Sequence, residues 1–166
     1  MRSVLFWILA LAAVGSSLTM ITRSKPVHSA IAFLGTLVSL AGLFLLLYAQ
    51  FVAILQIVIY AGAILVLFLF VIMLLHARSG EGSVEKLRLQ RPLAIVLSLA
   101  LLAGVSFLFL QAGLSEAPTP AAGMGTAEEV GKTLFDHFIL PFEVASVLLL
   151  AGILGAVVLS KKESWS

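Results

Sequence analysis

Long apolar runs, broken by short polar stretches, organise this chain. Five runs stand out, at about 4–21, 27–48, 52–75, 93–114 and 138–159. Each is near or above the ~18 residues that mark a membrane-spanning helix. Residues 51–75 carry no charge. At about 1.5 Å per residue they reach roughly 37 Å as a helix, beyond the ~30 Å hydrocarbon core of a bilayer. The pattern predicts an all-α integral membrane protein, one membrane domain over 1–166 with five transmembrane helices. The breaks differ in kind. Residues 22–26 form a charged turn, with Pro26 suited to the first position of the next helix. Ala49, Gln50 and Phe51 form a tight uncharged turn. Residues 76–92 are a charged loop, and 115–137 open with a Pro-, Gly- and Ala-rich stretch. Within that second loop, Thr126 and Glu129 have capping-box spacing, which predicts a short helix over 126–136.

The first run imitates a secretory signal, with Arg2 before it and Ala13-Val14-Gly15 within it. Against this, the run continues to Ile21, and Arg23 and Lys25 after it outweigh Arg2, which favours a retained helix. Basic residues also set the orientation. With five spans, one side carries Arg2 and Lys132, and the other carries Arg23, Lys25, Arg78, Lys86, Arg88, Arg91, Lys161 and Lys162. The positive-inside rule then predicts the N-terminus outside and the C-terminus in the cytoplasm. It makes 76–92 a cytoplasmic loop and 115–137 an external one.

Composition agrees and removes other classes. The chain is 61% hydrophobic and 11% charged, where a soluble domain carries about 25% charged residues. It has no cysteine, which excludes disulfides and iron–sulfur ligation by its own side chains. A formal charge of +2, with no basic run interleaved with aromatics, gives no nucleic-acid surface.

Few residues carry candidate chemistry. No nucleophile–base grouping, phosphate-binding glycine loop or metal-ligand spacing is present, so no catalytic or metal site is predicted. His28, His76 and His137 fall at or near helix ends and read as interfacial anchors. Gln56 and Tyr60 are four apart, so an α-helix puts them on one face. They read either as hydrogen-bonding glue in a bundle or, beside the small Ala61-Gly62-Ala63 patch, as part of a π-bulge at a functional site. Glu143 is the only acid inside an apolar run. With Pro141 read as a first-turn residue, Glu143 caps its helix; the alternative is a place on a proton path. Gly35, Ser39 and Gly42 in the second run, and Ala151 and Gly155 in the fifth, form small-residue seams for close helix approach. No internal repeat points to a transporter.

Three stretches carry a resemblance. Ile59-Tyr60-Ala61-Gly62-Ala63-Ile64, followed by Val66 to Met73, resembles the signature helix of subunit J of the proton-pumping NADH:quinone oxidoreductase. That complex is respiratory complex I, and the mitochondrial counterpart is NADH dehydrogenase subunit 6. Pro26-Val27-His28-Ser29-Ala30 and the run from Leu140 to Leu150 support the likeness, which covers nearly the whole chain. Some family members carry Glu where this chain has Gln56, so Gln56 is given no proton-carrying role.

The resemblance implies a cofactor-free subunit of an oxidoreductase, with no catalytic residues of its own. FMN, iron–sulfur clusters and quinone then belong to other subunits. The implied partners are membrane-arm subunits A, H and K and the lipid bilayer. The strong charge asymmetry and the lack of a transit peptide favour a bacterial plasma membrane. The implied role is a gating third helix, with Tyr60, Ala61, Gly62 and Ala63 at a π-bulge and a water path toward subunit K. Phe68 is expected to help seal that path. A small ion channel or transporter subunit, and a purely structural scaffold, are the alternatives.

Overall fold

The computed structural model describes residues 1–75, 90–111 and 125–161. They form seven α-helices and one π-helical segment. The elements are α1 (Arg2–Thr22), α2 (Pro26–Leu46), α3 (Gln50–Leu55), the π segment (Gln56–Ile64), α4 (Leu65–Leu74), α5 (Gln90–Gln111), α6 (Ala127–His137) and α7 (Ile139–Ser160). From Gln50 to Leu74 the helix is continuous, and only its winding changes. Among the described residues, four stretches are long and apolar enough to cross a membrane: α1, α2, Gln50–Leu74 and α7. The chain is thus a multi-pass helical membrane protein. The expected fourth span, 93–114, corresponds to α5, whose apolar part is shorter, Pro92–Leu108. Residues 112–114 of that span, 76–89 of the first long loop with His76, and 115–124 of the second lie outside the described residues.

Sequence chemistry explains the boundaries. Pro26 occupies the first turn of α2, where its missing N–H costs no hydrogen bond. The Thr126 side chain accepts from the Glu129 N–H at the start of α6, so the predicted cap forms. At the end of α2, Tyr48 donates to the Leu45 carbonyl and Ala49 to the Phe44 carbonyl. This is a Schellman stop. Tyr48 sits at φ 63°, a left-handed position usually given to glycine. The Arg2 guanidinium lies 4.2 Å from the Tyr48 ring centroid, a cation–π contact joining the start of α1 to the end of α2.

α2 is the centre of the fold. α1 runs along one side of it, and Gln50–Leu74 lies on another. Gly35 faces Ser16 and Gly42 faces Leu9, so closely that an added Cβ would stand 2.9 Å from each. The predicted seam on α2 is therefore the α1 contact. At the far end, the Ser29 hydroxyl donates to the Met20 carbonyl at 2.5 Å and ties α2 to the last turn of α1. The Ala151 and Gly155 seam meets nothing within the described chain: α7 touches only α6, and α5 touches no other described element. Exposed apolar faces are stable in lipid, where helix association rests on packing rather than on water exclusion.

Candidate functional site

Gln56–Ile64 is wound as a π-helix between two α-helical stretches. At its end, the Leu65 N–H donates to the carbonyl of Tyr60, five residues back. Such i→i+5 pairing wraps one more residue into the turn than an α-helix does. Gly62 makes this winding easy: a Cβ there would stand 3.2 Å from the Ile57 carbonyl oxygen, tighter than ordinary contact. Glycine removes that conflict.

The winding decides which residues face α2. The buried positions are Ala53, Gln56, Ala61 and Leu65, followed by partly buried Leu69. Their spacing is three, five, four and four. The five-residue step falls inside the π segment, and the α spacing resumes after it. Ala61 and Leu65, at 6% and 2% exposure, meet Ala30 and Leu37 of α2, with Phe33 and Leu69 packed beside them. An alanine here lets the helices close in.

This geometry corrects one expectation. Gln56 is buried at 8% exposure, while Tyr60 is 53% exposed. The two do not share a face, because α periodicity fails across the extra residue. Tyr60, Gly62, Ala63 and Phe68 all lie on exposed parts of the helix, and Ala61 alone of the five expected residues faces inward. The residues that sequence reasoning missed are Leu65, Leu37 and Ala30. A search for buried positions spaced five apart across Gln56–Ala61 would have found the first.

Glu143 brings a second correction. α7 begins at Ile139, so Pro141 is its third residue and Glu143 lies in the second turn. No acidic residue occupies the first turn, and the helix start has no side-chain cap. The helix begins early because α6 ends at His137 and only Phe138 separates the two. Phe135 and Phe142, with ring centroids 5.4 Å apart, brace that junction. The Glu143 side chain is exposed, and its backbone carbonyl accepts from Ser146 at 2.7 Å. Among the described residues, no three His, Asp or Glu side chains gather as metal ligands.

The π segment has an anchor at its membrane end. The Phe51 N–H donates to the Gly125 carbonyl at 2.9 Å, joining the start of α3 to the residues leading into α6. Gly125 has φ +84°, and a Cβ there would stand 2.1 Å from the Tyr48 carbonyl oxygen. Only glycine fits.

Residues 16–159, which include every element of this site, match the family described as NADH-ubiquinone/plastoquinone oxidoreductase chain 6. The chain belongs to that family. Several relatives of known name agree along nearly the full length. NAD(P)H-quinone oxidoreductase chain 6 of Nostoc sp. is 37% identical over 158 residues, covering 95% of this chain and 78% of the relative. F(420)H(2) dehydrogenase subunit J of Methanosarcina mazei is 35% identical over 166 residues, covering 98% and 93%. NADH-quinone oxidoreductase subunit J of Escherichia coli is 35% identical over 161 residues, covering 95% and 86%. As a chain 6 protein, this chain is a subunit of a quinone oxidoreductase complex and has other subunits of that complex as partners.

Proposed function

We propose that this chain is the non-redox coupling subunit of a proton-translocating NADH:quinone oxidoreductase, with the π segment as its gate. The observation that carries the proposal is the π segment set between two α-helical stretches. If it rewinds to α, the extra residue leaves the turn and α4 rotates by roughly 100°, one residue's share of an α-helical turn. Tyr60, Ile64 and Phe68 then follow Gln56 at four-residue steps and take the places of Ala61, Leu65 and Leu69 against α2. In the π state, Tyr60 offers a phenol to a neighbouring subunit on the exposed face. In the α state that phenol turns inward and a water path to the neighbour loses its polar step. Quinone reduction, carried out elsewhere in the complex, biases the two states.

The relatives are named for three donors, NAD(P)H, F(420)H(2) and NADH. A chain retained across them fits a step after donor oxidation. With no cysteine it supplies no iron–sulfur ligand. FMN, the clusters and the quinone site are assigned to other subunits, and subunits A, H and K are its neighbours. Five crossings within one membrane domain fit the chain path. The hydrogen bond between Phe51 and Gly125 supports this count: with Gln50–Leu74 as one crossing, a return crossing brings the chain back beside Phe51. α5 is the described helix in that interval. The charge asymmetry puts the N-terminus outside and the C-terminus in the cytoplasm of a bacterial plasma membrane. Glu143, on an exposed face of α7, serves a proton path shared with a neighbour.

The test is donor-driven proton pumping in vesicles carrying Tyr60→Phe or Gly62→Leu, with assembly checked on a native gel. Assembled complexes that transfer electrons but pump weakly are expected. Normal pumping by assembled Gly62→Leu refutes the gate.

A further inference from the structure

We infer that the turn between α1 and α2 holds the phosphodiester headgroup of an anionic phospholipid. Thr22, Arg23, Ser24, Lys25 and His28 line an open pocket of about 320 Å³. That is near the lower end of the roughly 300–1,000 Å³ usual for ligand sites. The lining offers two fixed positive charges, an imidazole and the Ser24 hydroxyl as donors to a phosphodiester, while the Thr22 hydroxyl donates back to the Leu18 and Thr19 carbonyls. Behind it lies the start of α2, whose N-cap residue Lys25 supplies no side-chain cap. The first turn of α2, opened by Pro26, thus has no side-chain cap on the pocket side of the helix start.

Three further observations favour a lipid over a free anion. The pocket lies where two membrane helices end, at headgroup depth. The Ser29 bond to the Met20 carbonyl holds the two helices together beside it, so the shape is set before binding. All described acidic residues, Glu128, Glu129, Asp136 and Glu143, fall in α6 or the start of α7. α6 is joined to the opposite end of the helix pair through Gly125 and Phe51. Among the described residues no carboxylate neutralises Arg23 or Lys25. Basic pockets between membrane helices recognise anionic headgroups in this way. This site is separate from the gate and depends only on the membrane placement.

The assay uses the purified intact complex in zwitterionic detergent–lipid micelles containing a photoactivatable phosphatidylglycerol. Adducts on residues 22–28 are quantified by peptide mapping. Each basic residue near an anionic lipid contributes about fivefold in affinity, so Arg23→Gln with Lys25→Gln shifts half-saturation about 25-fold. The swap Arg23→Lys with Lys25→Arg retains binding. A photoactivatable phosphatidylcholine labels these residues weakly in all forms, and inorganic phosphate at millimolar concentration fails to displace the lipid. Equal labelling by the two lipids in the wild-type complex overturns the inference, and that comparison needs no variant to assemble. Displacement by phosphate assigns the pocket to a free anion instead. Protection of residues 22–28 by a neighbouring subunit, with no adduct, assigns it to a protein contact.

Discussion

Gly62→Ala tests the two windings of the third membrane helix directly. The added Cβ stands 3.2 Å from the Ile57 carbonyl oxygen in the π form. Relief needs a shift of about 0.2 Å, which on a bond of about 1.5 Å is roughly 7° of angle, or about 1 kcal/mol. Alanine's general helix advantage over glycine applies to both windings and cancels between them. The net bias is therefore about 1 kcal/mol toward α, a population change of about fivefold. Disulfide trapping reads it, because the chain has no native cysteine. Leu37→Cys with Leu65→Cys joins two residues of the buried cluster and reports the π register. Leu37→Cys with Ile64→Cys reports the α register, since Ile64 is 52% exposed in the π form. Peptide mapping within the assembled complex gives both initial rates. Gly62→Ala should raise the 64-to-65 rate ratio about fivefold. An unchanged ratio in an assembled variant refutes the two-register reasoning.

Other contacts make their own predictions. Gly42→Ala brings a methyl to 2.9 Å from the terminal methyls of Leu9, which can turn aside, and alanine's helix gain of roughly 0.5–1 kcal/mol offsets that cost. The thermal midpoint of the complex should therefore change little; a large drop would show that Leu9 is locked. Gly125→Ala meets the Tyr48 carbonyl at 2.1 Å and a strained φ, so the Phe51 amide should lose hydrogen-exchange protection while the α1–α2 contact survives. Tyr48→Leu removes the ring beneath Arg2. A double-mutant cycle with Arg2→Gln should give a coupling of about 0.5–1 kcal/mol, and zero coupling would dismiss the cation–π contact.

Span positions were legible because lipid requires an unbroken apolar run with all backbone groups paired inside the helix. α1, α2 and α7 start and stop within a few residues of the predicted limits. The predicted cap on α6 was legible for a local reason, since Thr126 and Glu129 carry their own bond. The face of Gln56 was not legible from α periodicity, which holds only until a residue is inserted. The cap alternative for Glu143 fails because Pro141 suits any of the first helical positions, and α7 begins at Ile139, directly after α6. Small-residue seams mark close approach but not the partner. Gly35 and Gly42 meet α1, whereas Ala151 and Gly155 meet nothing in the described chain. Tyr48 in a left-handed position left no trace in sequence, since tyrosine gives no sign of that conformation.

The isolation of α5 and α7 bears on how cells keep the subunit in proportion. α1, α2 and the helix up to Leu74 come first in translation and hold one another. Among the described residues α5 touches no other element and α7 touches only α6, so a copy without its complex presents Glu143 on an exposed helix. Membrane proteases act on such orphans. Abundance is then governed by the supply of docking subunits rather than by this chain's own translation. A pulse–chase half-life that falls sharply when neighbouring membrane subunits are depleted is the expected sign. An unchanged half-life would mean that the orphan is tolerated.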